Sequence, residues 1–485
     1  MTNSREVERW GVFELALSGP AGGNPFEDVT ITAKFRHGTR QYEAEGFYDG
    51  GGRYIVRFMP DAEGVWTYTT SSNCREIDRI VGEFRCLPPS AGNRGPVRVH
   101  DETQFRYADG SRCRPIGTAA FMWHLQDDAR REETLRSLAS SPFNKLRMYL
   151  LPANSPGGDP ELYPFEGSPA SGFDLSRPNP TYFAHAERCV RQLLTLGIEA
   201  DLVLFHPFDG GRWGFDRMTG GQEERYLRYA IARFAAFRNV WWSLADGGWL
   251  MAGKKPEDWD RLFRIVQECD CGFHLCSIQS AGEFDYGRPW VTHVSLRTED
   301  AKAVSRFVRD YAKPVVLDDF GCEGNDAGRW HSLTPEDALN RVWEAAFRGG
   351  YATYGESYLR PDGTFWRTHG GTLRGEAVPR IEFMRGLLDE APESVKYCTA
   401  RHDASTLEIA GEYYFQYFGP HRFSYRDFAL PEGTYRADLI DTWNMTVAPL
   451  GDRLSSAFRI DLPSELYYAL RLERIADERN IETGE

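Results

Sequence analysis

Gly197-Ile-Glu-Ala-Asp-Leu-Val-Leu-Phe-His-Pro207 is followed by Glu223-Glu-Arg-Tyr-Leu-Arg-Tyr-Ala-Ile-Ala-Arg-Phe-Ala-Ala-Phe237 and then by Asn239-Val-Trp-Trp-Ser-Leu-Ala245. The outer pieces are short apolar runs of strand character. The middle piece spaces its apolar residues by three and four, as a helix with one buried face does. The order is strand, helix, strand.

The same rhythm extends outward from about 97 to 390. Strand-like runs fall at 115–121, 143–151, 199–206, 239–245, 274–279, 290–296, 314–320 and 351–357. Helical spacing recurs in Trp259-Asp-Arg-Leu-Phe-Arg-Ile-Val266 and Ala338-Leu-Asn-Arg-Val-Trp-Glu-Ala-Ala-Phe347. Between the fifth and sixth runs no helix of useful length fits. Eight strands alternating with helices over about 290 residues is the size of a (β/α)8 barrel. A doubly wound sheet is the alternative, but no Gly-x-Gly-x-x-Gly leads from a strand into a helix. Neither a phosphate-binding Walker sequence nor a Gly-x-Ser-x-Gly elbow occurs.

On either side the pattern is β. Val29-Thr-Ile-Thr-Ala-Lys-Phe35, Gly52-Arg-Tyr-Ile-Val-Arg-Phe58 and Val65-Trp-Thr-Tyr-Thr-Thr70 read as strands, and Asp49-Gly-Gly-Gly52 marks a hairpin. Leu87-Pro-Pro-Ser-Ala-Gly-Asn-Arg-Gly-Pro96 reads as a linker. Tyr413-Tyr-Phe-Gln-Tyr-Phe418, Tyr435-Arg-Ala-Asp-Leu-Ile-Asp441 and Glu465-Leu-Tyr-Tyr-Ala-Leu-Arg-Leu472 are further strands. The expected division is a β-sandwich over 1–96, the barrel over 97–390 and a second sandwich over 391–485. The polar end, Glu473 to Glu485, is expected to fray.

The chain has 485 residues, with 57 Lys+Arg against 71 Asp+Glu, a net charge of −14. That acidity argues against nucleic acid or an anionic membrane as partner, and no apolar run is long enough to span a bilayer. The start, Met1-Thr-Asn-Ser-Arg-Glu, lacks the apolar core of a secretory signal, so a cytoplasmic location is expected. Nine cysteines are scattered. Cys269-Asp-Cys271 with Cys276 lacks the paired spacing of a zinc site, so reduced thiols are the expectation. Exposed edges on two sandwiches leave room for a homo-oligomer. Aromatic residues make up 14% of the chain. Most such rings fill cores, but rings also stack on the C–H faces of sugars.

In a (β/α)8 barrel the chemistry gathers where strands end. Those ends deliver Trp123 and His124 from the first strand, Arg147 from the second, and His206 from the third, followed by a loop with Trp213, Phe215 and Asp216. The fourth delivers Asp246, the fifth Gln279, the sixth His293. The seventh delivers Asp318, Asp319 and Glu323, and the eighth Tyr354 and Glu356. Carboxylates, His, Arg and Trp at one mouth suit a sugar better than a phosphate, which would want Gly-rich loops and Lys. Three His with several carboxylates could hold a divalent ion, but no His-x-His or His-x-x-x-His spacing occurs, so neither metal nor cofactor is expected.

Phe143-Asn-Lys-Leu-Arg-Met148, Gly197–Pro207, Tyr226-Leu-Arg-Tyr229, Asn239–Ala245, Lys313-Pro-Val-Val-Leu-Asp318 and Cys322-Glu-Gly-Asn325 resemble an apiosidase-like family of glycoside hydrolases, barrels flanked by an N-terminal sandwich and a C-terminal β-domain. Gly349-Gly-Tyr-Ala-Thr-Tyr-Gly-Glu-Ser-Tyr358 and Asp441-Thr-Trp-Asn-Met-Thr446 fit the same family. The resemblance covers nearly the whole chain. It implies a retaining glycosidase with an acid/base Glu after the fourth strand and a nucleophile Glu ending the seventh, acting on a plant- or microbe-derived glycoside or oligosaccharide.

The chain departs from that pattern at both places. Where the family reads Ser-Leu-Ala-Asn-Glu, this chain reads Ser243-Leu-Ala-Asp246-Gly247, and where the family reads Asp-Glu it reads Asp318-Asp319. Gly247 either opens space at the mouth or serves a turn. Retention needs carboxyls about 5–5.5 Å apart and inversion about 6.5–9.5 Å. Shortening Glu to Asp withdraws a carboxyl by about 1.5 Å, so both stereochemical courses stay open. The expected catalytic set is Asp319, Asp246 and Glu356. Substrate contacts are expected from His124, Arg147, His206, Trp213, Gln279, His293, Glu323 and Tyr354, with Trp213 as an aromatic platform. Arg147 is also expected to keep an inward carboxylate such as Asp319 ionised. A carbohydrate-binding protein with a degenerate barrel site is the alternative.

Overall fold

The computed structural model describes residues 6–251, 253–400 and 403–475, so most of the tail expected to fray lies outside the described residues. The chain divides into two compact units. One takes in residues 1–139, 143–296 and 360–372, the other 140–142, 297–359 and 373–485. The class is α/β: a (β/α)8 barrel order of parallel strands and helices, with β-rich domains at both ends of the chain.

In the first unit the N-terminal segment forms a seven-stranded sheet. Of the strands Ile31–His37, Arg40–Tyr48, Arg53–Phe58 and Gly64–Ser72, the first and last alternate buried with more exposed residues, while the third is buried from Tyr54 to Phe58. The sheet folds over a core of Phe13, Phe35, Phe58, Trp66 and Phe84, where Phe13 and Phe84 stack with centroids 3.9 Å apart. Asp49-Gly-Gly-Gly52 makes the hairpin between the second and third of these strands, with Asp49 N–H donating to Arg53 O at 2.8 Å. A buried ion network ties this sheet to the barrel helices. Arg57 Nη2 donates to Glu187 Oε2 at 3.0 Å, and Arg233 Nε donates to Glu187 Oε1.

The parallel strands of this unit run Ile116–Ala119, Lys145–Tyr149, Glu199–Phe205, Val240–Ala245 and Cys276–Ser277, each paired with the next. Gln279–Ser280 then pairs with Val294–Arg297. The second to fourth are buried along their whole length, which explains why they read as unbroken apolar runs. In-register pairing of Arg147 with Asp201 and of Asp201 with Trp241, with period two, sets Lys145, Arg147 and Tyr149 on one face with Asp201, Val203, Trp241 and Ser243.

Helices close the units where the sequence provides caps. Pro180–Thr195 starts at Asn179, whose side chain accepts the Thr181 N–H. The helix expected from 223 begins at Gly220 and ends at Phe234, because Gln222 Oε1 accepts the Thr219 N–H at 2.8 Å and starts it a turn early. No helix lies between Gln279–Ser280 and Val294–Arg297 among the described residues.

In the second unit Val315–Asp319 pairs in parallel with Tyr351–Ser357, and a short strand, Cys322–Gly324, pairs with the end of the latter. Helices Ala303–Tyr311, Pro335–Phe347 and Ala377–Glu390 accompany them. The C-terminal domain is a six-stranded sheet and a two-stranded ribbon, Tyr425–Ala429 with Ala457–Asp461. Its core includes Tyr414, Phe428, Tyr435, Ile460 and Leu470. No helix among the described residues is long and apolar enough to cross a membrane.

Candidate active site

In the first unit Asp246 follows the fourth strand and is 2% exposed. Tyr149, ending the second strand, donates its hydroxyl to Asp246 Oδ2 at 2.6 Å. Gln279 has one chemically sensible amide orientation: its nitrogen donates to Asp246 Oδ1 and its oxygen accepts from Arg147 Nη1 at 2.6 Å. Arg147 also donates to Ser243 Oγ at 3.2 Å and lies 3.5 Å from Asp201 Oδ2, which Lys145 approaches to 2.6 Å.

Tyr149 is clamped as well as hydrogen-bonded. Phe121 stacks on its ring at 4.1 Å and His206 at 4.2 Å. Burial, and then the Asp246 charge beside it, hold its phenol far above the ordinary range, so it stays a donor. His206 Nε2 donates to Leu151 O at 2.9 Å and Nδ1 accepts the Phe208 N–H at 3.1 Å. Burial lowers its pKa, which agrees with a neutral ring locked in one tautomer. Arg367 lies over Phe121 at 5.4 Å and adds positive charge near Tyr149. Sequence reading found Asp246, Arg147, His206 and Gln279 but missed Tyr149, which shares its strand face with Arg147.

Gly247 has φ +65°, and a Cβ there would lie 3.0 Å from Phe208 Cζ and 3.4 Å from Pro207 Cδ. The glycine therefore serves a left-handed turn and opens no space at the mouth. The apolar surface lies just beyond it: Trp249 is 38% and Leu250 54% exposed. Their place directly after Asp246-Gly-Gly was the available signal.

Three expectations need correction. Trp213 is 7% exposed, its ring 5.7 Å from Tyr163 and 6.0 Å from Phe215. It is a core ring of its loop, because the hairpin Phe165–Ser168 and Gly172–Pro178 brings further aromatics there. His293 precedes its strand, which begins at Val294. It therefore lies at the N-terminal strand end, 5.4 Å from Trp241 and 5.8 Å from Phe105. His124 is fully buried, 6.4 Å from Tyr182 of a helix, and burial pushes its pKa down to about 3. It lies in the turn Trp123–Leu125 after the first strand, packed toward the helix Pro180–Thr195.

The loop after the third strand holds an acidic pair that the sequence reading named only in part. Asp209 is buried and accepts the Gly211 and Phe215 N–H groups at 2.8 and 3.1 Å. Burial, and then the charge and hydrogen bond of Asp209, raise Asp216.

In the second unit Asp319 and Asp318 point opposite ways. Asp318 Oδ1 accepts from Thr353 Oγ1 at 2.7 Å. Register pairs Leu317 with Ala352, so Asp319 shares the other face with Tyr354 and Glu356. Asp319 Oδ2 is 3.4 Å from Arg297 Nε and Oδ1 accepts the Gly321 N–H at 3.2 Å. Arg297 was not foreseen as a partner.

Glu323 is fully buried and fully used. Oε1 accepts from Tyr358 Oη at 3.0 Å and the Glu376 N–H at 2.6 Å. Oε2 accepts from Tyr354 Oη at 2.7 Å and the Ala377 N–H at 3.1 Å. A carboxylate has about four lone-pair directions, so none remains for a ligand. The expectation that Glu323 and Tyr354 touch substrate gives way to an anchoring role for both. Glu356 is in register beside Glu323, and its Oε2 accepts the Arg374 and Gly375 N–H groups at 2.8 and 2.7 Å. Gly375 is required there, since a Cβ would lie 1.8 Å from Tyr354 Oη.

Buried carboxylates, an arginine and aromatic rings at the C-terminal ends of parallel strands define a (β/α)8 enzyme. The chain belongs to the apiosidase-like family: the model of that family's catalytic domain matches residues 101–361. It is accordingly a glycosidase. Domains of unknown function designated DUF5060 and DUF5605 match residues 6–73 and 402–473. The chain is similar to a candidate glycoside hydrolase from Bacteroides vulgatus, at 35% identity over 97% of this chain and 100% of that one, with a TM-score of 0.91. A family 5 glycoside hydrolase from the same organism shares the fold, at 15% identity, a TM-score of 0.64, and coverage of 79% of this chain and 94% of that one. No curated protein matches the chain.

Proposed function

We propose that the protein hydrolyses a plant- or microbe-derived glycoside or oligosaccharide with Asp246 as the acid that protonates the leaving oxygen. Asp319 is the second carboxylate, nucleophile in a retaining course or base in an inverting one. The observation that carries this reading is the setting of Asp246. It directly follows the fourth strand, is buried, and is oriented by Tyr149 and Gln279, side chains themselves fixed by stacking and by Arg147. Since position 247 is a left-handed glycine, the acid that the family pattern sets there moves back by one residue. Asp319 earns its role from its strand end and from the Arg297 guanidinium beside it. Glu356 is the reserve carboxylate, and Trp249 supplies an apolar face to a sugar ring. This reading keeps the division into domains at 1–96, 97–390 and 391–485.

The test is a panel of aryl glycosides, furanosides included, with product stereochemistry followed by NMR. Turnover of one glycoside by the wild type, lost in Asp246→Asn and Asp319→Asn, supports the assignment. Binding of sugars with no turnover of any panel member would favour a carbohydrate-binding protein instead.

A further inference from the structure

An acid that protonates a leaving oxygen faces the leaving group, so the surface beside Asp246 decides which leaving groups fit. The next residue is Gly247. A Cβ there would lie 3.0 Å from Phe208 Cζ and 3.4 Å from Pro207 Cδ, so the space into which a glutamate at 247 would project is filled by a ring. Pro207 and Phe208 are both half-buried. Leu250 donates its N–H to Gly247 O at 2.8 Å and is 54% exposed. What adjoins Asp246 on this side is apolar carbon.

The Phe208 ring is held in place. It lies near-parallel to His206, with centroids 5.9 Å apart, and to Tyr149 at 6.2 Å. Its carbonyl accepts the Asn154 N–H at 2.8 Å. Polar side chains of the surrounding loops are engaged with one another or with backbone. Arg212 donates to Asn154 Oδ1 at 3.1 Å and to Asp159 Oδ2 at 2.8 Å, and Asp209 accepts two backbone N–H groups. Tyr149 and Gln279 are already bound to Asp246. A second sugar set against Phe208 would press hydroxyls onto carbon, which costs free energy. A flat aromatic group would stack there.

We infer that Phe208, with Pro207 and Leu250, forms the leaving-group subsite, and that the substrate is a glycoside carrying an aromatic aglycone. The inference rests on the reading of Asp246 as the acid, and it narrows the substrate from a glycoside or oligosaccharide to the former. Trp249 keeps its place against the sugar ring. Phe208 is a specificity-determining residue here, touching the aglycone and taking no part in proton transfer.

The test uses thioglycosides, which resist hydrolysis, so that binding is read apart from turnover. Phenyl and methyl thioglycosides of each sugar in the aryl glycoside panel are titrated into the full chain by calorimetry. For the sugar that binds, the wild type should hold the phenyl compound at least about tenfold more tightly than the methyl compound. Phe208→Ala should lower that ratio by at least about threefold, and Phe208→Leu, which keeps an apolar wall without an aromatic face, should lower it less. A loop merely loosened by the substitution would weaken both compounds alike and leave the ratio where it was. No binding of any phenyl compound, a smaller wild-type ratio for every sugar, a ratio unchanged in Phe208→Ala, or tighter binding of a thio-linked disaccharide than of the phenyl compound overturns the proposal. Phenyl preference without turnover of any glycoside would strike the catalytic assignment of Asp246 and leave the Phe208 subsite standing.

Discussion

Asp246 and Glu323 are both buried carboxylates at the ends of parallel strands, yet they are held by different kinds of donor. Asp246 accepts from a tyrosine hydroxyl and a glutamine amide. Glu323 and Glu356 together accept four consecutive backbone N–H groups, from residues 374 to 377, where the 14-residue helix Ala377–Glu390 begins. Backbone donors at a helix start are fixed with the chain. Side-chain donors can turn away or follow a proton. The difference separates Glu323, whose two oxygens are both taken up in holding the fold, from Asp246, whose donors are side chains that can move.

The largest effect expected from this contrast is on stability. Glu323→Ala leaves two N–H groups and two hydroxyls in a buried site without their acceptor, and should cost about 3–5 kcal/mol, read by denaturant unfolding. A loss below about 1 kcal/mol would remove the distinction between the two groups. Asp319→Asn should do the reverse: a near-normal melting temperature, with turnover down by roughly two decades or more, about 2.7 kcal/mol of barrier. Trp213→Ala tests the corrected place of that ring. As a core residue of its loop it should cost about 2–3 kcal/mol of stability, whereas an unchanged melting temperature would return it to the surface.

Tyr149→Phe keeps the stack between Phe121 and His206 and deletes one donor. Turnover should fall about tenfold, a change of about 1.4 kcal/mol, with little effect on substrate affinity. An equal loss in affinity alone would mean that the hydroxyl serves binding rather than Asp246.

Glu199 sharpens the comparison from the other end of the strands. Its carboxyl is buried and accepts from Trp241 Nε1 at 3.1 Å. Burial raises its pKa to about 8, against the lowering influence of that bond and of Arg94 and Arg238. The folded state then holds a proton that the unfolded chain loses above about pH 4.5. This contribution to stability is complete below that pH and is lost as pH rises through about 8, by at most about 1.4 kcal/mol per pH unit. Glu199→Gln should flatten this part of the unfolding profile between pH 5 and 8. An identical slope in the variant would assign the pH dependence to another group.

The long apolar strands made the barrel legible, because strands covered on both faces cannot alternate and so announce themselves. Residues at their C-terminal ends followed directly: His206, Asp246 and Asp319 stand where the strand boundaries set them, whereas Arg147 lies mid-strand and Tyr149 takes the end. Tyr149 was hidden inside the run Leu146-Arg-Met-Tyr149, although counting by two from Arg147 reaches it. His293 was misread by one strand boundary, which exchanged one end of a strand for the other. Trp213 could not be read locally, since Tyr163, which packs against it, lies about 50 residues upstream, and Phe173 of the hairpin that follows packs on its neighbour Phe215. The role of Glu323 was equally distant: its N–H donors lie more than 50 residues further on, past the eighth strand.

The central claim is that Asp246 donates the proton to the leaving group. It is tested most directly by the ratio of kcat/KM between wild type and Asp246→Asn across glycosides of one sugar with leaving groups of increasing pKa. Good leaving groups depart without an acid and poor ones do not. The account predicts a ratio within about tenfold for an activated nitrophenyl glycoside, rising beyond a hundredfold for an alkyl glycoside. A ratio that stays constant across the series, large or small, would contradict it.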